Sequence, residues 1–203
     1  MKKLFKIALE DDTSGNTEIE KELVFYARIE SIAPLMAAAE SIESQNQFQL
    51  RIHASGAADA TKLPRLRVRA TKQHDQTEIV YTQTLKVPVG SGKKDGDRET
   101  TIIISEDFFN EFKLMADSHM TKDRYTIKIE GQPEKWEVDV FYNEESGRAY
   151  NWVKCDYEFK SKDANIPALP DYMTDIIAGT TTDPKERAFI DELYEKVFLK
   201  KTK

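Results

Sequence analysis

Strict two-residue alternation is the feature that most limits what this chain can fold into. At least six segments alternate an apolar residue with a charged or polar one, as a β-strand does when one face packs on a core. The clearest are residues 122–130, 136–142 and 152–159, where Tyr125 and Val138 belong to the apolar sets. Because helical segments are few, the sequence predicts an α+β domain built on an antiparallel sheet, and alternation alone does not decide whether that sheet closes.

Three helices are predicted from capping residues and apolar spacing. Ser31 and Pro34 open the first, whose apolar positions continue to Ile42. A second begins after Ser105 and runs to about residue 118, and a third occupies about residues 184–200. A length of 203 residues suits one domain with its own core, here over about residues 17–184 followed by the last helix.

Composition narrows the class of protein. The formal net charge is −6 and 33% of the residues are charged, which argues against an extended nucleic-acid surface. No apolar run is long enough to span a membrane, and the apolar part of residues 1–10 is too short for a signal peptide. Cys155 is the single cysteine, so no intramolecular disulfide can form, and we expect a cytoplasmic protein.

Acidic residues share strand faces in three places. Glu18, Glu20 and Glu22 alternate along one predicted strand, and further pairs occur at Glu137/Asp139 and Asp156/Glu158. Carboxylates about 6–7 Å apart on one strand face repel one another, and water, bases or a cation can neutralise them. A divalent-metal site lined by oxygen atoms is one interpretation, and a solvated strand face is the other.

Basic residues form rows on other strands. Arg65, Arg67 and Arg69 alternate along one of them, where guanidinium groups suit phosphate oxygens. Lys86, Lys122 and Arg124 occupy the polar faces of two more. Because solvated sheet faces more often mix their signs, this segregation by strand favours a polar interior that binds a metal-complexed polyanion.

The order of these charged groups also resembles a known family. It is similar to that of the CYTH superfamily, the triphosphate tunnel metalloenzymes, over about residues 17–184. The matching groups are Glu18/Glu20, Arg67/Arg69, Lys86, Arg98/Glu99, Lys122/Arg124, Glu137/Asp139 and Asp156/Glu158.

The resemblance implies a closed antiparallel eight-stranded β-barrel, a tunnel with a charged interior and flanking helices. By carry-over, Mg²⁺ or Mn²⁺ would be held by Glu18, Glu20 and Glu158, with Asp156, Asp139 and Glu137 in the same acidic group. The phosphates would be held by Arg67, Arg69, Lys86, Lys122 and Arg124, with Arg65 and Arg98 as further candidates. The resemblance identifies no single catalytic residue in this chain.

The function expected from the resemblance is metal-dependent hydrolysis of a substrate that contains a triphosphate, such as inorganic tripolyphosphate or a nucleoside triphosphate. Glu22 stands where the family opening, Glu-x-Glu-x-Lys, has a lysine that contributes to the active site in hydrolytic members. This departure motivates an alternative, the binding or sequestration of a nucleotide or cyclic nucleotide without turnover. A class IV adenylate cyclase is a third hypothesis.

Overall fold

One large antiparallel sheet dominates the computed structural model, which describes residues 21–51, 63–88, 97–143, 145–159 and 166–201. Its ten strands are β1 Lys21–Arg28, β2 Ala39–Arg51, β3 Arg65–Gln73, β4 Val80–Pro88, β5 Asp97–Ile103, β6 Ser118–Lys128, β7 Lys135–Tyr142, β8 Ala149–Phe159, β9 Thr174–Ala178 and β10 Lys200–Lys201. The spatial order is β5-β4-β3-β2-β6-β7-β8-β1-β9, and β10 pairs with β6.

The prediction of a closed eight-stranded barrel is wrong. Within the described ranges, β5 and β9 are the two edges of a ten-stranded sheet and no hydrogen-bonded ladder joins them. The two strands beyond the eight expected are short, and β9 and β10 do not show the alternation that identified the others. Alternation reports which face of a strand is buried, whereas closure depends on which edges pair.

The open sheet is nevertheless strongly curled. Burial raises the pKa of Glu22 on β1, but Lys154, a hydrogen bond with Asp156 and then Lys86 on β4 outweigh burial and lower it. In a flat sheet, β1 and β4 would be six strand spacings or about 29 Å apart, a distance at which surface charges are screened. The face that carries Glu22 and Lys86 is therefore concave.

The apolar residues lie mainly on the opposite, convex face. Val68, Val138, Val140, Val153 and Cys155 are fully buried in two clusters there. The cluster over β2, β3 and β4 is covered by α2, Glu106–Met115, through its buried phenylalanines. Cys155 is therefore a core residue of the sheet, in agreement with its position in the alternating pattern.

The described residues include three α-helices, and two of them begin where the sequence predicts. Ser105 caps α2 by accepting a hydrogen bond from the Phe108 amide, 3.2 Å away. Asp183 caps α3, Pro184–Leu193, by accepting from Lys185 N at 2.7 Å. A wider π-helical turn, Tyr194–Phe198, continues α3, and together they cover one end of the concave face through contacts with Tyr26 and Phe141.

The first helix is shorter than predicted. α1 spans only Ala33–Ala38, and Ala39 is already extended and begins β2. Residues 39–42 have helical apolar spacing, but β2 pairs with β6 from Ala39 and with β3 from Glu43. Pairing with β6 outweighs the local preference of Ala and Glu for helix. No helix in the described ranges has the length and apolar character needed to cross a membrane.

Candidate functional site

The concave face collects charged and polar side chains from eight neighbouring strands, β1 to β8. Because each side chain shares a face with its directly opposed partner, the strand register defines the set. Arg69 lies opposite Gln47 and Thr82, Arg124 lies opposite Asp139, and Glu137 lies opposite Asp156. The predicted site residues on this face are Arg65, Arg67, Arg69, Lys86, Lys122, Arg124, Glu137, Asp139, Asp156 and Glu158.

The basic half of this face is formed by β3 and β4. Arg67 Nη2 lies 3.8 Å from Glu99 Oε2, and Lys86 contacts the same carboxylate. Arg69 Nη2 donates to the amide oxygen of Gln47 at 3.2 Å. The buried Nε groups of Arg67 and Arg69 have no hydrogen-bond acceptor among the described residues. Donors of this kind can be satisfied by an incoming anion.

The basic half of the concave face has too little negative charge to stabilise its buried arginines. Burial lowers the pKa of Arg69 to about 10, and the charges of Arg67 and Arg124 add to this effect. Burial also lowers the pKa of Arg67, and Glu99 only partly opposes the shift. A guanidinium normally holds its proton at any ordinary pH, so these directions show that the positive form is poorly stabilised.

The acidic half lies on β7 and β8 and is tied together by Arg124. The Arg124 guanidinium donates to both oxygens of Asp139, from Nε at 2.7 Å and from Nη2 at 3.0 Å. Its Nη2 is also 3.4 Å from Asp156 Oδ2, and its Nη1 contacts Glu137. One side chain therefore holds three carboxylates, and these acids raise the pKa of Arg124 against the opposing effect of burial.

Lys122 adds a second cation to Asp139. Both side chains are almost fully buried, with 4% of Lys122 and 1% of Asp139 exposed, and they contact each other. Burial opposes ionisation of Asp139, but Lys122 and Arg124 outweigh it and hold the pKa of Asp139 well below its ordinary value. Burial lowers the pKa of Lys122 to about 7 although Asp139 opposes the shift.

Lys154 forms the remaining part of the acidic half. Its ammonium contacts Asp156 and lies 3.5 Å from Glu22 Oε1. Burial opposes the charge of Lys154, but Asp156 and Glu22 outweigh it and raise its pKa. Burial raises the pKa of Asp156 to about 7, against the effect of Lys154. Lys154 shares the strand parity of Asp156, and that parity was the signal that could have added it to the predicted site.

The predicted metal site is only partly described. Glu18 and Glu20 lie outside the described residues. Glu158 is exposed at the rim, directly opposite Glu22. In the part of the chain that is described, no three His, Cys, Asp or Glu residues converge as metal ligands. The buried carboxylates do not fit a divalent cation, because their oxygens contact Arg124, Lys122 and Lys154.

Arg98 is separated from the other predicted phosphate ligands. It pairs in register with Val87 on β4, whereas the neighbouring pair Glu99 and Lys86 faces the concave side. Arg98 is exposed on the opposite face of β5. The structure therefore brings together Arg65, Arg67, Arg69, Lys86, Lys122 and Arg124 but not Arg98.

Comparisons with known proteins add little to this picture. No family model matches the chain, and no curated protein matches it. A solved structure, that of the PH1819 protein from Pyrococcus horikoshii OT3, is similar with a TM-score of 0.46 and 17% sequence identity. The similarity covers 70% of this chain and 81% of that protein. A similarity this distant carries no argument about function, and the CYTH resemblance stays a prediction.

Proposed function

We propose that this protein binds the polyphosphate group of a small molecule, such as tripolyphosphate or a nucleoside triphosphate, on the concave face of its sheet. The observation that carries the proposal is the row Arg65, Arg67 and Arg69 with Lys86 beside it. The buried Nε groups of Arg67 and Arg69 add hydrogen-bond donors that no described side chain satisfies. A chain of phosphates supplies negative charge and acceptor oxygens at the spacing of such a row.

The curvature of the sheet favours a small ligand. The side chains of Arg67 and Lys86 are only 19% and 22% exposed, so a phosphate must enter the concavity to reach them. An extended nucleic acid needs an open basic surface, and the net charge of −6 disfavours that kind of binding. The CYTH resemblance supports the same class of ligand independently of the structure.

Metal-dependent hydrolysis of the bound triphosphate is the second candidate. It is favoured by Glu22 and Glu158, which are directly opposed on β1 and β8 and are both exposed. Two opposed carboxylates attract cations, and the Lys154 ammonium lies 3.5 Å from one of them, Glu22. In this mechanism, Glu22 and Glu158 would hold Mg²⁺ or Mn²⁺ together with Glu18 and Glu20.

Isothermal titration calorimetry with tripolyphosphate, ATP, GTP and thiamine triphosphate tests binding, and AMP serves as the ligand that lacks the phosphate chain. Phosphate-free and sulfate-free buffer keeps the site available. Replacing Arg69 by Met should weaken binding about 10- to 100-fold, since charge-assisted hydrogen bonds are lost. Arg148→Met is the matched control, because Arg148 is exposed and lies in the turn before β8.

Two results would contradict the proposal: no measurable binding of any triphosphate, or equal losses in the Arg69 and Arg148 variants. Phosphate release in the presence of Mg²⁺ or Mn²⁺, with chromatography of the products, then separates the two candidates. Unchanged ligand recovered after long incubation supports binding alone. Released phosphate supports hydrolysis, provided that Glu158→Gln abolishes it.

A further inference from the structure

The buried acids of the concave face already have cations. Asp139 is held by Arg124 at 2.7 and 3.0 Å and by Lys122, and Glu137 contacts Arg124. Asp156 is 1% exposed and lies between Lys154 and Arg124, whose Nη2 is 3.4 Å away. Each of these contacts directs a positively charged hydrogen-bond donor at an oxygen that a metal ion would need.

Lys154 extends the same arrangement to the rim. Its side chain is 17% exposed and runs from β8 towards Glu22, whose Oε1 is 3.5 Å from the ammonium. Glu22 and Asp156 are thereby joined through one lysine, although they belong to different strands. Glu22 and Asp156 therefore share the Lys154 ammonium as a cationic partner.

A divalent cation has requirements that these contacts do not meet. Mg²⁺ needs about six oxygen ligands at about 2.1 Å in near-octahedral geometry. To provide them, Asp139 and Asp156 would have to release Arg124 and Lys154, which would leave buried cations without partners. In the part of the chain that the structure describes, the buried carboxylates are therefore neutralised by lysine and arginine side chains.

We propose that Lys154 and Arg124 act as built-in counter-ions of the acidic half, so that the concave face binds its polyphosphate without a divalent cation. This inference rests on the proposed function for its ligand. It differs from the metal-dependent site that the sequence predicts. It also assigns Lys154, which was not among the predicted site residues, the role of a counter-ion.

The first experiment compares binding of tripolyphosphate to the unmodified protein in EDTA and in Mg²⁺. We expect the dissociation constant in EDTA to be equal to or lower than that in Mg²⁺, because Mg²⁺ screens the phosphate charges that the arginines recognise. Binding that is at least about tenfold weaker in EDTA would overturn the inference. Absence of binding under both conditions would instead contradict the proposed function.

The second experiment needs no phosphate ligand and therefore tests the counter-ion role separately. Mn²⁺ binding to the ligand-free protein is followed by electron paramagnetic resonance. Lys154→Met should increase the Mn²⁺ affinity at least about tenfold, because Glu22 and Asp156 lose their ammonium. Lys135→Met is the control, because Lys135 is exposed and forms its ion pair with Glu40, not with Glu22 or Asp156.

Equal Mn²⁺ affinity in the Lys154 variant and the control would refute the assignment of Lys154 as a counter-ion. Tight Mn²⁺ binding to the unmodified protein, unchanged by Lys154→Met, would refute it as well. Circular dichroism identifies a variant that has lost its fold, in which case the comparison of EDTA with Mg²⁺ on the unmodified protein still decides the inference.

Discussion

Replacing Arg69 by Met should stabilise the ligand-free protein. Arg69 lies in the basic half of the concave face, where burial and the charges of Arg67 and Arg124 disfavour its positive form. At pH 7 the side chain is charged in both the folded and the unfolded state. The cost of keeping this charge buried is therefore borne by the folded state alone.

The size of the effect follows from the electrostatics and one hydrogen bond. Lowering the pKa of Arg69 from 12.5 to about 10 corresponds to roughly 3 kcal/mol of unfavourable free energy. The variant loses the hydrogen bond from Arg69 to Gln47, which contributes about 1 kcal/mol. We therefore expect the free energy of unfolding to rise by about 2 kcal/mol, or the melting temperature by about 4–8 °C.

Urea unfolding followed by circular dichroism measures this change, in buffer free of phosphate and sulfate so that no anion occupies the site. Arg148→Met should alter the free energy of unfolding by less than about 0.5 kcal/mol, because Arg148 is exposed. A free energy of unfolding that stays constant or falls in the Arg69 variant would refute the reasoning. Such a result would mean that the contacts of the Arg69 guanidinium stabilise the folded protein by more than the burial of its charge costs.

Two further results are expected. Cys155 should not react with Ellman's reagent at pH 8 until denaturant is added, since it is fully buried and burial raises its pKa; a fast native reaction would contradict this. Gly179→Ala should lower the free energy of unfolding, measured in urea, by about 1–3 kcal/mol, because an added Cβ would lie 3.0 Å from Val24. An unchanged value would show that β1 can shift to accommodate the added methyl group.

Much of the fold could be predicted because strand alternation is a local property. Tyr125, Val138 and Cys155 lie on the apolar face, as their parity indicated, and the second and third helices begin where the sequence predicts. The closed barrel was wrong because pairing between distant edges leaves no local signal. The start of β2 at Ala39 was missed because a distant partner, Ile127 on β6, decides it.

The candidate site was predicted in part for a related reason. The charged rows are on one face, as the alternating pattern indicated, but the separation of signs by strand says nothing about which strands are neighbours. Because β6 lies beside β7, Arg124 faces Asp139 directly and the two rows neutralise each other. Arg98 was included because the resemblance matches it together with Glu99, but β5 begins at Asp97 and places Arg98 opposite Val87, on the other face from Glu99.

Strand order therefore determines which of the basic rows can bind a ligand. The cations of β6 and β8 are engaged by acids of β7, β8 and β1, so they hold the acidic half together. The arginines of β3 lie between β2, whose opposed residues include Gln47 and Gln49, and β4, which contributes Lys86. Glutamines provide hydrogen bonds but no negative charge, so β3 keeps the positive charge that a polyphosphate would neutralise. The same cations would contribute to a very different site if β3 were paired with β7.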